Sequence, residues 1–197
     1  MFVVRRPSPD RLGRLLADVR GAALTYDEVG ATEGAQAGGD LPSGYHHQRV
    51  SAVLGTGDAV FTRAAEGVRR WRLHRGQGFT VHHDGPGDPP VAVGTEVLVD
   101  APLAPVLHVL AACRVVWVAD RPDRFGFGYG TLPVHPESGE EAFVVDRDDH
   151  GEVAVTVTAF SRPHHPLTRL GGPVARWQQA RATRGYVDAL RSYVAAG

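Results

Sequence analysis

The sequence predicts an α+β fold: a curved antiparallel sheet of about six or seven strands wrapped around a long C-terminal helix, with short helices near the N-terminus. Three observations carry this expectation. From Phe79 to Ser161, short runs alternate between apolar and polar residues with no helical stretch between them, which favours strands paired as an antiparallel meander. The chain then returns to helical spacing at Pro173, and the roughly 23 residues that follow would span ~35 Å of helix. Ahead of the strands stand two shorter helical patterns.

In chain order, Ser8-Pro9 opens the first helix as a cap followed by a first-turn proline. Leu12, Leu15, Leu16 and Val19 repeat at helical spacing, and Gly21 ends the element. Ala23 to Val29 reads as a short extended run. Residues 30–44 hold five Gly and one Pro, which suits a mobile loop. His47 to Leu54 predicts a strand, Gly55 and Gly57 break it, and Asp58 caps a second helix running to about His74. Its buried stripe is Val60, Phe61, Ala64, Val68 and Trp71. Strands follow at 79–83, 93–100, 106–118, 124–132, 141–146 and 152–161. The final helix starts afresh at Pro173 and turns Trp177, Tyr186, Leu190 and Tyr193 toward the core. At this length a single domain over 1–197 is expected.

Composition narrows the chemistry. The chain has 21 basic residues, all of them Arg, and contains no Lys, Asn or Ile. Without Lys there is no Schiff-base aldolase, no pyridoxal-phosphate enzyme and no Walker-type phosphate loop. Without Asn there is no N-glycosylation and no Cys-His-Asn triad. The one cysteine, Cys113, excludes an internal disulfide and every multi-cysteine zinc or iron–sulfur site. A net charge of −1 provides no field to attract nucleic acid or an anionic membrane. No run approaches the ~20 apolar residues of a membrane span, and the N-terminus lacks a secretory apolar run. A cytoplasmic protein is expected, monomeric or weakly dimeric, without a cofactor.

Several constellations stand out. Strand alternation places Phe125, Phe127, Tyr129 and Thr131 on one face and Gly126, Gly128 and Gly130 on the other. The glycine row strips that face bare for a helix, a ring or a ligand. His135, Glu137, Glu140 and Glu141 form a tight polar segment in which His135 and Glu141 are candidates for acid–base chemistry. The plainer reading is a polar turn in which Glu140 or Glu141 pairs with an Arg. Arg114 and Arg162 interrupt apolar strands, and each needs an anionic partner, either a protein carboxylate such as Glu141 or the acidic head of a ligand. Tyr26 is a candidate to line a cavity mouth with its hydroxyl toward a ligand, although a tyrosine that packs its ring and hydrogen-bonds locally is the plainer reading. The His doublets at 46–47, 82–83 and 164–165 do not chelate one ion singly, because adjacent strand residues face opposite ways, and no metal site is expected.

The order of elements resembles the helix-grip fold of the START and Bet v 1-like superfamily, whose members hold apolar ligands between sheet and helix. A closer resemblance rests on Phe125-Gly126-Phe127-Gly128-Tyr129-Gly130-Thr131-Leu132-Pro133 and on His135-Pro136-Glu137 followed by Glu140-Glu141. Together with Leu24-Thr25-Tyr26, Glu28-Val29-Gly30-Ala31-Thr32, Arg114-Val115-Val116 and Ala159-Phe160-Ser161-Arg162-Pro163, these resemble the domain of unknown function nineteen-ninety, an uncharacterised family of bacteria and plants. The likeness covers about residues 22–195. The chain departs from the family pattern at Asp27, where many members carry Pro, and in a Gly-rich insertion at 33–41. The reading that follows is a domain binding a small apolar or amphipathic ligand in a cavity between the sheet and the C-terminal helix, with an acidic head group as one option. Phe125, Phe127, Tyr129, Trp117 and Trp177 would form the apolar wall, and Arg114 or Arg162 the polar end. The alternatives are an enzyme using the same cavity through His135 and Glu141, and a ligand-free interaction module.

Overall fold

The alternating segments assemble into one eight-stranded antiparallel sheet. The structure is a computed structural model and describes residues 1–84, 87, 89–164 and 172–197, by backbone alone over 172–180. The strands are β1 (Phe2–Val4), β2 (His46–Thr56), β3 (Thr80–His83), β4 (Glu96–Ala104), β5 (Leu107–Arg121), β6 (Arg124–Thr131), β7 (Glu137–Arg147) and β8 (Glu152–Pro163). Their order is β2-β8-β7-β6-β5-β4-β3, with β1 laid against the start of β5. The expected meander is therefore present, and the strand ahead of the second helix returns to pair with β8.

Helices cover both faces. On one side α1 (Pro9–Val19) is capped by Ser8 and buries Leu12, Leu16 and Val19 against Leu98, Leu110 and Leu132. On the same side α2 (Ala31–Gln36) lies over β7 and β8, its Gln36 donating to Thr158 Oγ1 at 3.0 Å. We call this the outer face. The inner face carries α3 (Asp58–Arg69), α4 (Arg72–Gly76) and α5 (Gly172–Ala195). The main core lies there, among Trp71, Leu73, Val97, Phe127, Phe143 and Leu190.

Four local differences from expectation have physical causes. Ala23–Val29 forms no strand: Thr25 makes a single backbone bond to Thr131 and Tyr26 turns its hydroxyl to Glu140, while Asp27 and Glu28 stay exposed. Residues 30–44 include α2 and are not loop throughout. The second helix breaks at Trp71, which adopts φ 59° and ψ 21° and swings its indole into the core with 1% exposure. A left-handed non-glycine residue costs roughly 1–2 kcal/mol, which burial of so large a ring offsets. β7 begins at Glu137, four residues ahead of expectation, so Glu140 and Glu141 belong to a strand and not to a turn. The side chain of Trp177, along with His165, Pro166 and Gly171, lies outside the described residues.

The glycine row faces outward and is covered by side chains. A Cβ on Gly126 would lie 2.7 Å from the Phe143 carbonyl oxygen, one on Gly128 would strike the Trp117 indole, and one on Gly130 the Tyr26 hydroxyl. Trp117 reaches this face because the β5–β6 register slips between Val115 and Trp117. A bulge moves every later side chain to the other face, so Trp117 leaves the side occupied by Cys113 and Val115. Among the described residues, no helix is long and apolar enough to cross a membrane.

Candidate functional site

Two adjacent glutamates on β7 point to opposite faces, and each heads a different network. On the outer face Glu140 is 2% exposed. Its carboxylate accepts from the Tyr26 hydroxyl at 2.7 Å, from Gly30 N at 2.8 Å, from Thr32 N at 3.0 Å and from the Thr32 hydroxyl. Trp117 Nε1 in turn donates to Thr32 Oγ1 at 3.0 Å. The carboxylate thereby satisfies the free amides at the start of α2, as an N-cap residue would, although it comes from a distant strand. Burial, and after it the Glu140 charge, hold the Tyr26 hydroxyl far above its ordinary pKa, so it stays a donor. Nearby, Tyr45 donates to Glu28 at 2.7 Å and the Arg162 guanidinium lies 4.7 Å from the Tyr45 ring centre. Each Glu140 oxygen thus meets two donors.

On the inner face Glu141 stands between Tyr129 of β6 and Ala159 of β8 in register. Its Oε2 accepts from the Tyr129 hydroxyl at 2.8 Å. Burial pushes its carboxyl up to about 7, opposed by the Tyr129 hydrogen bond and reinforced by the charge of Glu137. Burial followed by the Glu141 charge holds the Tyr129 and Tyr186 phenols well above their usual range. His74 Nε2 lies 3.3 Å from the Tyr129 hydroxyl. Its imidazole is fully buried among Trp71, Phe143 and Tyr186, and burial lowers it to about 3, with the Arg75 charge adding. His74 is therefore neutral, and its Nδ1 has no partner. Cys113, on the same face, is pushed above its ordinary value by burial and then by Glu141, so it is a protonated thiol at neutral pH. This arrangement can hold a proton near neutrality and accept hydrogen bonds.

The expected site residues divide between the faces. Phe125, Phe127 and Tyr129 line the inner core, as alternation predicts. Tyr26 and Trp117 do not join them, because they fill the glycine-bare outer face. Arg114 is spent on the outer side: its Nη2 lies 2.6 Å from Glu96 Oε1 and 2.7 Å from the Ala22 carbonyl oxygen, so Glu96 is its partner and not Glu141. Arg162 also belongs to the outer side, over Tyr45. Among the described residues neither Glu140 nor Glu141 pairs with an Arg. His135 and Glu141 are not brought together. His135 Nδ1 is 2.9 Å from both the N–H and the carbonyl of Glu137, and burial followed by the N-terminal amine lowers its imidazole to about 3. Sequence reasoning missed His74 and Thr32; spacing marks His74 only as the position three beyond Trp71. No group of three or more metal-ligating side chains forms among the described residues. A groove of about 360 Å3 runs between α3 and the β5–β6 turn, where Arg69 lies over Phe125 and pairs with Asp120.

A family model described as a domain of unknown function (DUF1990) matches residues 25–189. A UPF0548 protein of Deinococcus radiodurans is 33% identical over 198 residues, covering 96% of this chain and 97% of that protein. A UPF0548 protein of Arabidopsis thaliana is 30% identical over 156 residues, covering 76% and 72%. Among solved structures, a hypothetical protein from Helicobacter pylori matches with a TM-score of 0.59 at 11% identity, over 87% of this chain and 96% of that one. A norcoclaurine synthase point mutant from Thalictrum, solved with a transition-state analogue, matches with a TM-score of 0.50 at 11% identity, over 79% and 98%. Such identities speak for the fold alone, which is the helix-grip, Bet v 1-like arrangement.

Proposed function

The chain belongs to the DUF1990 family, and on the geometry above we propose that it is a small-molecule-binding domain taking an apolar or amphipathic ligand on its inner face, at the end marked by Glu141. One observation carries the reading: a part-buried carboxyl pushed up to about 7 stands on an otherwise apolar sheet face with the Tyr129 phenol as its hydrogen-bond partner among the described residues. A fold with no use for this position would gain stability by filling it with an apolar side chain. Phe127 and Tyr129 serve as wall, and Glu141 as the polar end in place of Arg114 or Arg162. The single-domain, cytoplasmic, monomeric or weakly dimeric reading accompanies this proposal.

Native mass spectrometry of the freshly purified full chain tests it, together with titration by a neutral environment-sensitive dye such as N-phenyl-1-naphthylamine. A co-purifying small molecule or saturable dye binding is expected. Ala159→Trp, directly opposite Glu141 on the inner face, should abolish either signal while the fold survives. Absence of both signals from the native protein would overturn the proposal. Acid–base catalysis at the same place is the second reading, favoured by the near-neutral Glu141 carboxyl and its Tyr129 partner.

A further inference from the structure

The net charge of −1 conceals a separation of signs. The helical segments 58–76 and 172–195 hold nine arginines against three acidic residues, a net of +6. The remainder of the chain holds twelve arginines against nineteen acidic residues, a net of −7. Both helical segments lie on the inner side of the sheet and pack on each other. A Cβ on Gly67 of α3 would strike Leu190 and Tyr193, and one on Gly76 of α4 would strike Ala189. The positive charge is therefore gathered in one layer of the fold.

Much of that charge faces solvent. On α5, Arg181, Arg184 and Arg191 are exposed with Asp188 at the spacing of one helical stripe, while Thr183, Tyr186, Val187 and Leu190 are buried on the opposite side. Near the end of α5 the Tyr193 ring draws in the other two helices. Arg63 of α3 lies 4.8 Å from its centre, and the exposed Arg72 of α4 lies 5.9 Å from it. The acidic residues of the layer are already held, Asp58 by Arg147, Glu66 by Arg70 and Asp188 by Arg191. Arg69 is held by Asp120 of β5. The surplus arginines repel one another, and an anionic surface relieves that repulsion. Among the described residues no large apolar side chain of these helices is exposed, so the layer offers charge without a wedge to insert.

We propose that the α3–α4–α5 layer docks the protein on an anionic membrane surface, through arginine contacts to the lipid headgroups. The choice of a membrane among polyanions rests on the ligand reading above: an apolar or amphipathic ligand is exchanged with lipid, and α5 lies over the inner face assigned to that ligand. Guanidinium groups suit headgroup phosphates and carboxylates, which they grip with two parallel hydrogen bonds. The attraction grows with each arginine near the surface and decays within a Debye length, about 10 Å at 0.1 M salt.

Co-sedimentation of the full chain with phosphatidylcholine vesicles, with and without about 30% phosphatidylserine, tests the proposal at about 0.1 M salt. The native protein should bind the anionic vesicles about tenfold or more tighter than the neutral ones, and about 1 M salt should release it. Arg181→Gln, Arg184→Gln and Arg191→Gln together should weaken this binding about tenfold or more. Arg11→Gln, Arg14→Gln and Arg49→Gln together remove the same charge from α1 and β2, and should leave binding within about twofold of native. Equal loss in the two triple variants would trace the binding to net charge and overturn the proposal. Equal affinity for the two kinds of vesicle, or none for either, would do the same. Tighter binding to a single-stranded oligonucleotide than to the anionic vesicles would give the layer to nucleic acid and overturn the membrane assignment. Should the α5 triple variant not fold by circular dichroism, Arg72→Gln with Arg184→Gln should weaken the binding about fivefold, and no loss there would also overturn it. Dye titration of the same preparation keeps the two readings apart. Dye binding without docking overturns the docking alone, and docking without dye binding overturns the ligand reading alone.

Discussion

Glu140 and Glu141 are neighbours of identical chemistry whose fates differ because strand geometry sends them to opposite faces. Glu140 meets four donors and is a structural anion; Glu141 meets one phenol and titrates near neutrality. Replacing Glu140 with Gln puts an amide among groups that all donate, and should destabilise the protein by about 3 kcal/mol in urea unfolding. Tyr26→Phe removes one charged hydrogen bond and should cost about 1–2 kcal/mol in the same measurement. At Glu141 the sign reverses. Its folded pKa of about 7 exceeds the ordinary 4.5, so its contribution is complete below 4.5 and is lost as pH rises toward 7. Glu141→Gln should therefore gain stability relative to the native protein across that window, reaching on the order of 2 kcal/mol by pH 8. A difference that stays flat between pH 4 and 8 would contradict the placement. Both glutamates stand out in the sequence, but their partners do not, because Tyr26 and Thr32 lie more than a hundred residues away.

At the scale of elements, α2 shows how a short helix survives. Six residues cannot sustain a helix alone, and Glu140 supplies the missing cap across the sheet. The Gly30 and Thr32 amides should be strongly protected in hydrogen exchange despite their place in a Gly-rich segment. Glu140→Gln should speed their exchange on the order of a hundredfold, whereas amides of β6 should change far less. The glycines of β6 invite a second comparison. The obstacle to a methyl at Gly126 is the backbone of β7, while at Gly128 it is the buried Trp117 ring, which Thr32 holds in place. Gly126→Ala and Gly128→Ala should each cost roughly 2–3 kcal/mol in urea unfolding, the latter also loosening the Trp117–Thr32 bond. Strand existence was legible from alternation. The position of α2 was not, because its glycines and missing local cap make it read as loop, and the cap lies on another element.

For the whole molecule, proton linkages oppose one another. His74 and His135 are held neutral with pKa values near 3, so the stability they contribute is present above 6.5 and lost as pH falls toward 3. Between pH 4.5 and 6.5 these two losses on acidification outweigh the single gain from Glu141. Among these three groups the net effect is a stability that rises with pH through this window and turns over near 7. The rise should steepen in Glu141→Gln when unfolding free energy is followed by urea titration. The sequence by itself determined the meander, the terminal helix placed from Pro173, the separation of an aromatic row from a glycine row, and a chemistry without lysine. These follow from spacing and composition, which are local. Only the tertiary structure decided which row faces the helices, that Trp117 crosses to the glycine side, that Arg114 is taken by Glu96, and that Glu141 alone of the two glutamates faces the core. Alternation assigns faces only relative to one another, and a single bulge between Val115 and Trp117 reverses them. The partner of a buried charge is set by whichever distant segment packs across it.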